Sequence, residues 1–414
     1  MPRKDPWHGG VYAILFVQGI SALLPWNVFI TAASYFADRL QQTSVHESFL
    51  NWFSLAFNLS TLIVVGLNAA FLRPCLPLPA RKITVALGGI SFILLLTATM
   101  VKTPYVEGNE FFGITMASIV VVSICSAYLQ EGLFEITALL PDIYTQAILT
   151  GQSMAGLGVS LSAFILTYLH HNKVSDTFTS SSIEDNAFIY FACSFATILF
   201  ALALFYVFQR LTFVRQYLQS PTKSLDIDMD ATESLLDESP PTPRPNPWKI
   251  LWQVRHHAFT AFFTLFVTLT LFPVVTSSIQ SSSMSQELFV ALTFVLFNFG
   301  DLAGRVSTSL YVLTHKRLVV AGSIGRFAFV GLFFLCNVHG SPLVVFTQDG
   351  MAVLVLLGFA WSNGYFCSVA MMQSPHEVDR HHRQLCGAIM FACLCVGLTA
   401  GSIASFALRA LLKV

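Results

Sequence analysis

The sequence predicts an all-α polytopic membrane protein of eleven transmembrane helices, grouped as pseudo-symmetric bundles of six and five. Three observations predict it. The 414 residues are 55% hydrophobic and 11% charged, with a mean hydropathy of +0.67; a typical soluble domain is about 25% charged. Eleven apolar runs follow one another along the chain, each near the roughly 20 residues needed to cross a bilayer. Lys and Arg are shared unequally between alternate connections.

In order, the runs cover about 11–36, 50–72, 83–101, 111–140, 147–169, 187–208, 258–280, 287–313, 318–337, 344–373 and 385–411. The first is too long for a secretory signal and ends in Tyr35-Phe36-Ala37-Asp38-Arg39, without a small-residue cleavage pattern. The tenth carries Asp349 near its start. With the N-terminus in the cytoplasm, 15 of the 22 Lys and Arg lie in inner connections, five lie in outer ones, and Arg305 and Arg326 lie inside spans. This bias sets the N-terminus in and the C-terminus out, which requires an odd number of spans.

Residues 209–257 form the one long connection. Its centre carries Asp226, Asp228, Asp230, Glu233, Asp237 and Glu238, then the Pro-rich stretch 240–245. Such a segment buries no core, and disorder is expected. Its flanks are basic and carry Trp248 and Trp252, as where a chain re-enters the headgroup zone. The expected domains are a six-helix bundle over 1–208, a disordered cytoplasmic loop over 209–257 and a five-helix bundle over 258–414.

Each half opens with a proline-interrupted span, at Leu24-Pro25-Trp26 and Phe272-Pro273-Val274. Matching interruptions in two halves point to a transporter site near the midplane, although proline kinks are common in membrane helices. Gly151 with Ala155, Gly300 with Gly304, and Gly397 with Gly401 have the small-xxx-small spacing of closely packed helices.

The polar residues inside spans carry the functional reading. Asn298, Asp301 and Arg305 are spaced three and four apart in span 8, so they share one helix face. A charge at that depth costs roughly 2.5–3.5 kcal/mol on insertion scales and marks function by default; an intrahelical structural ion pair is the plainer reading. Trp26 sits mid-span, away from the interfacial belts that Trp prefers. It either walls a cavity for a planar ligand or packs in the core with its N–H on a carbonyl freed by Pro25. Gln130, in span 4, offers a donor and an acceptor to the edge of a heterocycle. Glu131 and Glu135 share a face; two carboxylates in apolar surroundings resist joint ionisation. They form either a proton-coupling site or static partners for Arg305 or Arg326.

Seven of eight cysteines lie in spans and none in an outer loop, so they read as small buried hydrophobes. The histidine pairs 256–257 and 381–382 lack metal-ligand spacing and read as a solvated cytoplasmic face. No metal or cofactor is expected. The sequence has no His-Glu-x-x-His, Gly-x-Ser-x-Gly, P-loop or Gly-x-Gly-Asp, which disfavours an enzyme.

Several signatures, in order, resemble the equilibrative nucleoside transporter family. They are Leu23-Leu24-Pro25-Trp26-Asn27, Leu129-Gln130 with Leu139-Leu140-Pro141, Gly151-Gln152 with Ala155-Gly156, and Phe272-Pro273. Asn298-x-x-Asp301-x-x-Gly304-Arg305, Arg326, Ser362-Asn363-Gly364-Tyr365 and Gly387-Ala388-Ile389-Met390 complete the set. The resemblance spans nearly the whole chain. It implies a major-facilitator-like fold with alternating access, and nucleoside and often nucleobase substrates. It places Leu23 and Trp26 beside the ligand, Gln130 on the base, and Asp301 and Arg305 near the ribose, with Phe272, Phe294 and Asn298 along the wall. Glu131 and Glu135 depart from the family pattern, which has small residues there.

The resulting expectation is a facilitative nucleoside carrier, monomeric, surrounded by membrane lipid and without a nucleic-acid partner, in the plasma membrane or a vacuolar or lysosomal membrane. The alternative is a proton-coupled nucleoside symporter using Glu131 or Glu135; more remote are an intramembrane hydrolase and a non-transporting sensor.

Overall fold

The computed structural model describes residues 8–46, 48–68, 78–103, 108–171, 180–215, 217, 246–338 and 344–412. The first half contains α1 (His8–Thr31), α2 (Ala33–Arg39), α3 (Phe49–Leu67), α4 (Pro79–Val101), α5 (Gly108–Thr137), α6 (Asp142–His171) and α7 (Ser180–Arg210). The second contains α8 (Pro247–Gln253), α9 (Arg255–Leu271), α10 (Val274–Ser277), α11 (Gln286–Ser307), α12 (Lys316–Gly325), α13 (Ala328–Leu335), α14 (Asp349–Gln373) and α15 (Arg383–Leu412). Among the described residues, ten helical segments are long and apolar enough to cross a membrane, α12 and α13 counting as one. The second apolar run is the shorter helix α3. The acid- and Pro-rich centre of the long connection, for which disorder was expected, falls in 218–245, outside the described residues; its C-terminal flank is the helix α8.

The two prolines act differently. Pro25 is absorbed within α1, which stays helical to Thr31. Pro273 ends a helix: α9 stops at Leu271, Phe272 is extended at φ −105° and ψ 131°, and α10 restarts at Val274. A residue before proline is pushed to extended backbone, and here that push prevails. In α1, tight packing on α6 holds the helix. A Cβ on Gly19 would overlap the Ile148 carbonyl, and one on Gly151 the Phe16 carbonyl.

The same device joins α11 to α14. A Cβ on Gly304 would strike the Trp361 carbonyl oxygen, and one on Gly364 that of Asp301. Gly397 and Gly401 likewise bring α15 against Phe262 and Phe266 of α9. With no side chain between them, the backbones gain the dispersion contacts that substitute in a membrane for a hydrophobic driving force.

One apolar core fills the first half around Leu15, Phe36, Leu87 and Phe205, and takes in Cys386, Met390 and Leu394 of α15. A second fills the other half around Leu271, Val275, Phe333 and Phe359. The halves meet along α6 with α11 and α14, and along α5 and α3 with α15.

Candidate binding site

Asp301 is the hub of this seam, although only 5% exposed. Its Oδ2 accepts from Arg305 Nε at 2.8 Å, one turn on, and from the Ser153 hydroxyl of α6, in the opposite half. Its Oδ1 accepts from Asn363 Nδ2 of α14 at 2.6 Å. Three donors satisfy a carboxylate that would otherwise be prohibitively costly in a dry interior. The (i, i+4) pair anticipated from spacing is present; Ser153 and Asn363 complete it. Arg305 Nη1 is buried without a hydrogen-bond partner among the described residues.

The network continues into the second half. Asn363 Oδ1 accepts from Thr268 at 2.7 Å, and Thr268 Oγ1 accepts from Arg326 Nη2 at 2.9 Å. Arg326 is 1% exposed and also donates to the Thr264 carbonyl at 2.5 Å and to Ser362 at 3.0 Å, with its guanidinium 4.9 Å from the Phe359 ring centroid. These bonds stitch α9, α12 and α14 and make Arg326 a structural charge of that bundle.

Helix α6 also carries the polar seam to Gln130. Gln152 Nε2 donates to Gln130 Oε1 at 3.2 Å, and Gln152 is the neighbour of Ser153 in the chain. One turn further, Gly156 leaves the space taken by the Asn298 amide, whose Nδ2 donates to the Phe294 carbonyl at 2.9 Å. Gln130, Asn298 and Asp301 therefore line one continuous strip, with α6 as its backing.

Phe294, whose carbonyl holds Asn298, and its neighbour Phe272 flank the strip. Phe272, carried past the helix break, stacks on Phe297 at 4.0 Å and meets Phe294 edge-on at 4.9 Å. Trp26 lies 4.6 Å from Phe57 of α3 and packs against the first-half core, so it is a packed residue with its ring still half-exposed. Leu23, Gln130, Phe272, Phe294 and Asn298 are also half-exposed, whereas Asp301 and Arg305 are buried. Two small crevices lie elsewhere: one among Tyr35, Phe36 and Phe111 of the first half, the other among Phe134, Met371 and Met390 where α5, α14 and α15 meet.

Glu131 and Glu135 are not part of this strip, and their partner is neither Arg305 nor Arg326. Lys82 Nζ donates to Glu135 Oε1 at 2.9 Å and lies 3.6 Å from Glu131 Oε2, which also accepts from Asn68 Nδ2 at 2.8 Å. Lys82, grouped by sequence with a cytoplasmic loop, is 5% exposed inside α4. Proximity in the fold, invisible in the chain, makes it the cation that both carboxylates meet among the described residues. His257 also departs from the solvated-face reading: it is 1% exposed, with Nε2 3.9 Å from Glu377.

One end of the seam is clasped. Gln146 Nε2 donates to the Arg305 carbonyl at 3.0 Å, His376 contacts Asp142 at 2.7 Å, and Gly387 packs on the Phe134 carbonyl. Each contact joins one half to the other. Ser153, Gln146 and Asn363 were not singled out by sequence as site residues. Asn363 stood in the Ser362-Asn363-Gly364-Tyr365 signature, and Gln146 and Ser153 lie about two helical turns apart, so they share one face.

The model of the Nucleoside transporter family matches residues 116–410. Human Equilibrative nucleoside transporter 2 is 32% identical, covering 99% of this chain and 98% of its own length. Human Equilibrative nucleoside transporter 1 is 30% identical, covering 97% of each chain. Among solved structures, the major facilitator superfamily proton:xylose symporter XylE superposes with a TM-score of 0.66 at 14% identity, over 98% of this chain and 89% of that one. The fucose:proton symporter FucP of E. coli does so with a TM-score of 0.62 at 10% identity, over 98% and 93%. At such identities the likeness concerns the fold, which is that of the major facilitator superfamily.

Proposed function

Because the chain belongs to the nucleoside transporter family, we propose that it carries nucleosides across its membrane by facilitated alternating access. Kinship over nearly the full length of both human relatives is the observation that carries this reading. It is a multi-pass membrane transporter, not an enzyme.

In the proposed site, Trp26 and Leu23 form the apolar wall on one side, and Phe272 and Phe294 the wall on the other. Gln130, backed by Gln152, reads the base; Asn298 lines the wall, and Asp301 with Arg305 engages sugar hydroxyls. Two features support the last assignment. Ser153 presents to Asp301 the hydroxyl donor that a ribose also offers, and Arg305 Nη1 has a donor to spare. A substrate hydroxyl therefore replaces the inter-half bond with an equivalent one as the bundles part.

Under the topology favoured by the positive-inside bias, the clasp at Gln146–Arg305 and Asp142–His376 lies at the cytoplasmic end. The half-exposed residues then belong to an outward-facing arrangement. The N-terminus is cytoplasmic and the C-terminus extracellular or lumenal, and the carrier works as a monomer in the plasma membrane or a vacuolar or lysosomal membrane. The Lys82 contacts support a static role for Glu131 and Glu135 and thus an uncoupled carrier.

Counterflow of labelled adenosine, uridine and hypoxanthine in proteoliposomes tests the reading. Saturable exchange, with nucleosides competing with one another, is expected. Binding without flux of any of the three would reject it.

A further inference from the structure

Helix α8 precedes the first span of the second half and has two unlike faces. Ile250 and the following Val254 are 2% and 0% exposed and join the first-half core. Trp248 and Trp252, one turn apart, are 77% and 70% exposed. The helix is thus pinned to the protein by one side and presents two indoles on another. Its start is fixed by the Asn246 side chain, which accepts from the Trp248 amide at 3.0 Å.

The charge around those indoles has one sign. Lys249 and Arg255 are exposed, and residues 246–257 contain no Asp or Glu. Among the described residues neither cation has a carboxylate partner. The Arg255 guanidinium lies 4.8 Å from the Trp252 ring centroid and spends one N–H on the Trp252 carbonyl at 3.0 Å. Stacking holds the planar group in place and leaves donors for an anion. A guanidinium fork fits two phosphate oxygens together. The same pairing recurs at the end of α7, where Arg210 lies 4.7 Å from the exposed Tyr206 ring.

A membrane-interface belt explains the tryptophans alone. It does not explain two exposed arginines set against exposed rings with no carboxylate partner among the described residues. We propose that α8 and the first turn of α9 form a binding site for an anionic phospholipid headgroup. The indoles seat at the glycerol level while Arg255 and Lys249 take the phosphate. This inference rests on the membrane assignment and not on the transport reading, so either can fail without the other.

The test uses the full chain in vesicles of phosphatidylcholine containing either brominated phosphatidylserine or, at equal bromine content, brominated phosphatidylcholine. The signal is the quenching of fluorescence that disappears in Trp248→Phe/Trp252→Phe. Stronger quenching by the anionic lipid is expected. In Lys249→Gln/Arg255→Gln that preference is lost while quenching by the zwitterionic lipid persists; each basic group near an anionic surface is worth roughly fivefold in local lipid enrichment. High salt acting on the unaltered protein gives the same loss and guards against a misfolded variant. Equal quenching by the two lipids, which is the plain belt, or a preference that survives both removal of the charges and high salt, overturns the proposal.

Discussion

Ser153 and Asp301 are 148 positions apart in the chain, yet the serine hydroxyl donates to the aspartate carboxylate across the boundary between the two halves. A hydrogen bond to a charged group contributes about 1.5–3 kcal/mol. Ser153→Ala is therefore expected to weaken the seam by about 2 kcal/mol, to lower thermal stability in detergent and to alter apparent substrate affinity, because the halves part more easily. Unchanged stability and affinity together would remove this bond from the transport cycle.

Gln130→Ala leaves Gln152 without its acceptor and, in the proposed site, the base without its reader. An unmet buried polar partner costs about 1–3 kcal/mol, so the KM for nucleoside uptake should rise about tenfold, with Vmax nearly retained. Initial-rate uptake in proteoliposomes separates the two constants. A wild-type KM would reject Gln130 as a substrate contact.

Asp301→Ala strands Arg305 and Asn363. Loss of one member of a buried ion pair costs about 3–5 kcal/mol. The variant should transport poorly and accumulate less, as surface or membrane abundance measured beside uptake will show. A fully active, normally abundant variant excludes Asp301 from both roles.

Lys82→Met removes the cation that Glu131 and Glu135 share among the described residues and should destabilise the first bundle by about 3–5 kcal/mol. Replacing both glutamates with Gln in the same protein should restore much of that loss. A static cluster also means that uptake by the unaltered protein is insensitive to a protonophore across external pH values. Collapse of uptake under that treatment would instead establish proton coupling.

Asp142 and His376 meet at 2.7 Å from opposite halves. Cysteines at both positions, joined by a short bifunctional thiol reagent, should halt counterflow, and cleaving the linker should restore it. Continued exchange in the cross-linked protein would mean that this end does not open.

The apolar runs were legible because a bilayer admits helices of a set length with satisfied backbones. The positions of Asn298, Asp301 and Arg305 on one face followed from the helical period. Family signatures pointed to Gln130 and Trp26 before any fold was known. Partners were another matter. Glu131 and Glu135 gave no hint of Lys82, which lies about fifty residues earlier and meets them at 3.6 and 2.9 Å, respectively, only because α4 packs on α5. The two prolines had identical chain context in kind, yet Pro25 stays in its helix and Pro273 breaks one.

Local pattern thus carried the class, the spans and the face of each polar residue, since hydropathy and periodicity depend on neighbours along the chain. Which carboxylate answers which cation, and which hydroxyl crosses the seam, depends on helices brought together by glycine contacts such as Gly304 on Trp361 and Gly364 on Asp301. Electrostatic pairing falls off within a few ångströms, and that distance exists only after the bundles have packed.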